Sequence, residues 1–390
     1  MKYYSRSIEN KIKLLSKTYP VIVVSGPRQS GKSTLVKHLF PNHEYINLER
    51  IDDREFASND PRAFLEQFKN KVIIDEVQYV PTLFSYIQAN VDENKTAAKF
   101  VLTGSSQLSL IEGVSQSLAG RSAILQLLPL SQEEIHLKRA KFTLEEMIFN
   151  GGYPSIHFDK QPIIDWYSDY CTNYLERDVR SILNIKDLGT FQLFLKMCAA
   201  RCGQIINYSS FANDCGISPN TAKEWMNILE ASFIIYRLHP FYKNYSKRLI
   251  KSPKLYFYDT GIACSLLGIR TPEQLTTHSL RGGLFESWVI SEFKKKYFNI
   301  HREAPLYFWR DNKGKEVDLV IENIEKFYAI EIKSGKTINS SFFDNLNYIE
   351  SIAANDISQK ILIYGGNQNQ KRSNSTVLSW KNINEVKNEM

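Results

Sequence analysis

The sequence has no run approaching the roughly 20 apolar residues needed to cross a bilayer. Its opening stretch, Met1 to Lys13, is too polar and charged for the core of a signal peptide. The expectation is a cytoplasmic chain with no membrane partner. Cysteine is scarce: five residues in 390, an odd number, with no CxxC pair and no Cys/His spacing of a zinc site. Cys171, Cys198, Cys202, Cys215 and Cys264 are expected to be reduced and mostly buried, and Cys198 and Cys202, one helical turn apart, to be packing residues. No internal repeat or long low-complexity stretch is present, which excludes solenoid and fibrous architectures. Charge of one sign does not dominate either. The 49 Lys+Arg stand against 42 Asp+Glu, a net of +7, which permits an anionic partner such as nucleic acid without demanding one.

The length and the 43% hydrophobic content suggest two or three domains with sizeable cores. In residues 1–140, short β-branched runs alternate with helical patterns: Val21 to Val24, Tyr45 to Leu48, Val72 to Ile74, Phe100 to Leu102 and Ile124 to Leu128. Such alternation means crossover units and a parallel sheet. Residues 141–250 read as mainly helical, and strands return in residues 251–390, beginning with Leu255 to Tyr258. The fold class expected is therefore α/β and multidomain, with a helical middle.

Gly26, Pro27, Arg28, Gln29, Ser30, Gly31, Lys32, Ser33 and Thr34 follow the first apolar run and lead into a helical pattern. This is GxxxxGK[ST] in the strand–loop–helix setting of a P-loop NTPase. The backbone N–H groups would face phosphates at a helix N-terminus, Lys32 would reach the β- and γ-phosphates of ATP, and the Ser33 hydroxyl would ligate Mg²⁺. Asp75 and Glu76 end the strand Val72 to Ile74. There Asp75 would hold Mg²⁺, through water, while Glu76 polarises the attacking water. Thr103 to Gln107 could sense the γ-phosphate through Ser105 or Ser106, and Arg121 reads either as an arginine finger or as a surface charge.

The segments GPRQSGKS, VIIDEVQ, LTGSSQ and SLAGR resemble those of AAA-type prokaryotic ATPases that carry a C-terminal domain of unknown function with a restriction-endonuclease-like core. GGYP (Gly151 to Pro154), YLERDV (Tyr174 to Val179), FYDTGIA (Phe257 to Ala263) and RGGLFE (Arg281 to Glu286) extend the resemblance over most of the chain without marking chemistry.

Between Tyr208 and Pro240 the pattern is helix, turn, helix capped by Ser218 with Pro219 behind it, then the strand Phe233 to Tyr236: a winged helix. The exposed face of its second helix, Asn220, Lys223, Glu224 and Asn227, suits protein packing better than groove reading. Ala231 to Tyr258 holds six Lys+Arg, no Asp or Glu, and interleaved Tyr236, Phe241, Tyr242 and Tyr245. It reads equally as a phosphate-tracking, base-stacking stretch or as solvated lysines over buried tyrosines.

In the C-terminal part, Glu286 opens an amphipathic helix. Asp318 lies in a strand after a hairpin turn at Asp311 to Lys315, and Glu331 and Lys333 share one face of the next strand. Three carboxylates and an ammonium are what metal-dependent phosphodiester hydrolysis needs, with Glu286, Asp318 and Glu331 as Mg²⁺ ligands and Lys333 assisting the water. This resembles the D…ExK pattern of restriction-like nucleases. The leading expectation is a Mg²⁺-dependent ATPase acting on nucleic acid, DNA favoured, as a homo-oligomer if Arg121 is a finger. The alternative is a nucleotide-controlled interaction protein whose nuclease-like fold cleaves nothing.

Overall fold

The computed structural model describes residues 3–105, 114, 117–136, 142–159, 161–175, 187–241 and 251–386. Strands β1 (Val21–Ser25), β2 (Glu44–Asn47), β3 (Val72–Asp75), β4 (Phe100–Gly104) and β5 (Ser122–Gln126) form a parallel sheet in the order β2-β3-β4-β1-β5. β1, β3 and β4 are buried along their whole length, because helices cover both faces. Alternate residues divide between two cores. Val21, Val23, Ile74 and Leu102 pack with Phe64, Leu83 and Ile87, whereas Ile22, Val24, Ile73 and Val101 pack with Ile8, Ile12, Leu35 and Val36. β5 begins and ends two residues earlier than the apolar run suggests. Leu127 still donates its N–H to Ser25 O, at 2.8 Å, but Leu128 has left the sheet and turns its carbonyl to Arg6.

In the middle of the chain the helix Leu188–Ala200 precedes the helices Tyr208–Cys215 and Pro219–Ala231. Gly216 turns the chain between the latter two at φ +66°, and Ser218 caps the second by accepting from Thr221 N, as expected. Ala222, Trp225, Met226 and Leu229 are buried. A hairpin of β6 (Ile235–Pro240) and β7 (Lys254–Phe257) follows.

The remaining strands are β8 (Leu306–Arg310), β9 (Glu316–Asn323), β10 (Lys326–Lys333), β11 (Ile357–Tyr364), β12 (Gln370–Lys371) and β13 (Thr376–Ser379). With the hairpin they make one mixed sheet, β12-β13-β11-β10-β9-β8-β6-β7. β6 joins it through His239 and Pro240, opposite Tyr307 and Phe308. The expected division between residues 141–250 and 251–390 therefore cuts a hairpin and is not a boundary of the fold. The sequence pattern identifies a strand at Leu255 but not its partner, and that partner is Ile235 to Leu238. One hydrophobic core draws its residues from Leu128 through Val386, and a second, with Phe241, Trp309, Val320 and Leu346, packs separately from it.

Two segments that the sequence marks without explaining meet here. Asp259 accepts from Gly152 N (2.7 Å) and Tyr167 OH (2.9 Å), while Gly152 O accepts from Leu130 N (2.7 Å). A Cβ on Gly151, at φ +60°, would stand 2.2 Å from Tyr167 OH and 2.4 Å from Asp259 Oδ1, so the approach requires glycine. GGYP and FYDTGIA are thus the joint between the end of the first sheet and the rest of the molecule.

Candidate functional site

The loop after β1 curls around its own lysine. Gly26 has φ +151°, and a Cβ there would lie 2.2 Å from Leu127 O, so the loop can pass over the end of β5 only without a side chain. Gly31 (φ +94°) starts the helix Lys32–Leu39. Lys32 is buried, and its Nζ donates to the carbonyls of Gly26 (3.0 Å) and Pro27 (2.9 Å). Burial holds its pKa below the usual lysine range, with Glu76 and Asp75 acting against that. Arg28, Gln29, Gly31, Lys32, Ser33, Thr34 and Glu76 line a cavity of about 370 Å³, the size range of small-ligand sites. Ser30 lies beneath, fully buried.

Asp75 is buried at the end of β3 and accepts from Tyr45 OH (2.6 Å) and from Thr103 Oγ1. Glu76 is held in the left-handed region at φ +56°, a strained position for a side chain and typical of functional turns. Its Oε2 accepts from Ser105 Oγ (3.0 Å), Ser105 N (3.3 Å) and Gln78 Nε2. Ser105 thus acts on Glu76 and does not line the cavity; Ser106 lies outside the described residues.

Sequence reasoning missed the residues that brace this loop. Arg6 donates to Ser30 O (2.9 Å) and Leu128 O (2.7 Å) and pairs with buried Glu134 at 3.1 Å. It ties the phosphate loop to the chain leaving β5. Nothing in the polar segment around Arg6 signals this. Tyr4 stacks on Phe158 with centroids 3.4 Å apart, at the cavity wall where Pro154 and Asp159 also contribute. Of these residues only Pro154 belongs to a segment that the sequence marks, GGYP.

Arg121 pairs bidentately with Asp92, at 2.6 and 2.8 Å. Because Val21 lies opposite Ser122 in parallel register, Arg121 sits at the far end of the sheet from the phosphate loop, roughly 13 Å of strand away. It does not reach the cavity of its own chain.

In the C-terminal sheet, Lys333 Nζ bridges Asp318 Oδ2 (3.2 Å) and Glu331 Oε1 (2.6 Å), and Asp318 also accepts from Ile332 N (2.8 Å). Asn345 donates to Glu331 Oε1 (3.1 Å). Glu331 is 1% exposed, and its Oε2 has no hydrogen-bond partner among the described residues. The period-two pattern suggests apolar residues on one face of β10 and charges on an open one; the helix Asp344–Ala353 covers that second face. Glu286, from the helix Arg281–Asn299, accepts from Lys254 Nζ (2.9 Å) and Tyr256 OH. Burial pushes the carboxyls of Glu286 and Glu331 above the usual carboxylate range.

One carboxylate oxygen each from Glu286, Glu316 and Asp318 lies within 4.8 Å of the others, which adds Glu316 to the expected residues, and Glu331 stands against Asp318 and shares Lys333 with it. Glu316 stands two residues before Asp318 on β9, so the period of a strand could have found it. In the basic stretch Tyr236 and Phe241 are buried, Arg237 pairs with Glu230 and Lys254 is buried among carboxylates, whereas Lys251 is exposed. Tyr242, Lys243, Tyr245, Lys247 and Arg248 lie outside the described residues.

Residues 18–136 match the family model described as an AAA domain. Residues 141–273 and 281–383 match two models, each described as a domain of unknown function (DUF8612 and DUF4143). The chain is similar to an uncharacterized protein of Mycobacterium tuberculosis, 29% identical over 323 residues, covering 82% of this chain and 71% of that protein. It is also similar to an uncharacterized protein of Methanocaldococcus jannaschii, 26% identical, covering 91% and 86%. Among solved structures it is similar to a Walker-type ATPase of Pyrococcus abyssi (TM-score 0.45, 14% identical, covering 68% of this chain and 96% of that chain). A second is the RuvB Holliday junction branch migration motor of Thermotoga maritima (TM-score 0.32, 18% identical, covering 60% and 90%). The phosphate loop, the parallel sheet and the AAA match define the N-terminal region as a P-loop ATPase domain. No helix among the described residues is long and apolar enough to cross a membrane.

Proposed function

We propose that the protein is a Mg²⁺-dependent ATPase that couples hydrolysis to action on nucleic acid, DNA favoured. The observation that carries the ATPase reading is the convergence of Lys32, Ser33 and Glu76 on one cavity. Lys32 would exchange its two loop carbonyls for the β- and γ-phosphate oxygens, and Glu76 would take the proton of the attacking water. Ser105 and Gln78 aim Glu76. The Ser33 hydroxyl and the Asp75 carboxylate suit Mg²⁺, Asp75 through water, since Tyr45 and Thr103 already bond its two oxygens. Arg121, remote from its own cavity, would serve a neighbouring subunit of a homo-oligomer.

In the C-terminal part, Asp318, Glu331 and Lys333, with Glu286 and Glu316 beside them, supply oxygen ligands and an ammonium suited to metal-dependent phosphodiester hydrolysis. The helix–turn–helix and its hairpin would be the winged helix. Its exposed Asn220, Lys223, Glu224 and Asn227 carry one basic residue among four, which does not support base reading by this helix. A second reading, a nucleotide-controlled interaction protein without cleavage, is favoured by the seating of Lys254 among the carboxylates.

ATP turnover measured with and without DNA or RNA at two salt concentrations tests the reading. Coupling to nucleic acid predicts stimulation that weakens as salt rises. Turnover indifferent to both nucleic acids supports the interaction protein instead.

A further inference from the structure

The C-terminal centre already contains a cation. Lys254 is 3% exposed, and its Nζ lies 2.9 Å from Glu286 Oε1 and 2.5 Å from Glu316 Oε1. Those two residues, with Asp318, form the cluster whose carboxylate oxygens converge within 4.8 Å. A divalent ion sits roughly 2.0–2.6 Å from carboxylate oxygens. Ammonium and metal therefore need the same place. The charge count also leaves room for more than a lysine: the four carboxylates of Glu286, Glu316, Asp318 and Glu331 meet three cations, Lys254, Lys333 and Arg310, the last 3.0 Å from Glu316 Oε2, and buried Glu331 Oε2 has no hydrogen-bond partner among the described residues. An orphaned oxygen on a carboxylate as buried as Glu331 is costly unless something meets it.

We infer that Lys254 is the built-in counter-ion of this centre, and that a divalent cation binds Glu286, Glu316 and Asp318 only by displacing its ammonium. The inference rests on reading the carboxylates as a metal centre. Lys254 does not belong to the elements that carry those carboxylates. It sits on β7, paired opposite Leu238 of β6, in the hairpin that follows the helix–turn–helix. Tyr256, two residues on and on the same face, donates to the same Glu286, so β7 engages the centre through two side chains. A one-residue slip of β7 would turn both to the opposite face.

The test uses the full chain without nucleotide and Mn²⁺ as the probe, its binding followed by electron paramagnetic resonance of the free ion. Wild type, K254M and K254Q are compared, with the K254M/E286Q double variant locating the site. K254M and K254Q should bind Mn²⁺ at least tenfold more tightly than wild type, and the double variant should lose that gain. Without metal, both single variants should melt below wild type, because the carboxylates have lost their counter-charge, and Mn²⁺ should raise their melting temperature more than it raises that of wild type. If neither variant folds without metal, Mn²⁺ should rescue their refolding; failure of rescue overturns the inference. Equal Mn²⁺ affinity in wild type and both variants overturns the role of Lys254 while leaving a metal centre standing. No Mn²⁺ binding by any of them removes the metal reading itself, and the inference with it.

Discussion

Lys32 and Lys254 are both buried ammonium groups near carboxylates, yet they are held in opposite ways. Lys32 bonds two neutral backbone carbonyls at the edge of an open cavity, and burial lowers its pKa. Lys254 bonds two full charges, and Glu286, Glu316 and Asp318 outweigh burial to raise its pKa. A neutral carbonyl yields its lysine to a phosphate at small cost, whereas a carboxylate does not. The first lysine is ready for a ligand, and the second holds a site closed. The N-terminal site is built to exchange partners on every cycle; the C-terminal one is built to stay paired until something moves it.

The largest effect expected is at the open site. Lys32→Ala should abolish ATP turnover and weaken nucleotide binding, while Glu76→Gln should bind ATP normally and hydrolyse it at least ~10²-fold more slowly. Nucleotide binding by fluorescence and phosphate release in the two variants separate the roles; wild-type turnover by Glu76→Gln would remove Glu76 as the base.

The closed site gives the complementary loss. Asp318→Ala or Glu331→Ala should remove any Mg²⁺- or Mn²⁺-dependent cleavage of single- or double-stranded substrates, and Lys333→Ala should slow it, with ATP turnover largely intact in all three. Identical residual cleavage by wild type and Lys333→Ala on every substrate would leave the centre a binding module.

Arg121→Ala should lower turnover by about 10³-fold if it completes a neighbour's site, without weakening ATP binding. Specific activity should then rise with protein concentration. Its ion pair with Asp92 is exposed, so the melting temperature should hardly change. Turnover independent of both concentration and this residue would make Arg121 an ordinary surface charge.

Arg6→Ala should be the smallest in turnover and the clearest in stability. It leaves Glu134 buried without its cation, a loss of about 3–5 kcal/mol, and frees Ser30 from its brace. Denaturant unfolding checks the first, and a severalfold weaker nucleotide affinity the second.

How much of this was legible follows from how each site is assembled. The phosphate loop is contiguous from Gly26 to Ser33, and Asp75 ends a fully apolar strand, so local pattern sufficed. Ser218, Pro219 and the face of Ala222, Trp225, Met226 and Leu229 were likewise fixed by nearest-neighbour chemistry. Arg6 could not be found, because two of its partners are backbone carbonyls 24 and 122 residues away, which carry no residue identity, and the third, Glu134, lies far along the chain with no local pattern joining the two. Asp318, Glu331 and Lys333 were found because strand period places them. Lys254 was read as a candidate phosphate contact, since nothing local distinguishes a lysine facing solvent from one facing Glu286. Glu316 stands at the first position of its strand, where the period that links it to Asp318 has only just begun.

That one core draws its residues from Leu128 through Val386 has a practical consequence. A fragment starting at residue 251 would keep β7 but lose β6, baring the edge of the sheet and the side chains of Leu255 and Phe257, which are fully buried in the intact chain. Such a piece should aggregate. A fragment starting near residue 128 keeps both strands and the whole of that core, and should stay in solution where the shorter piece does not.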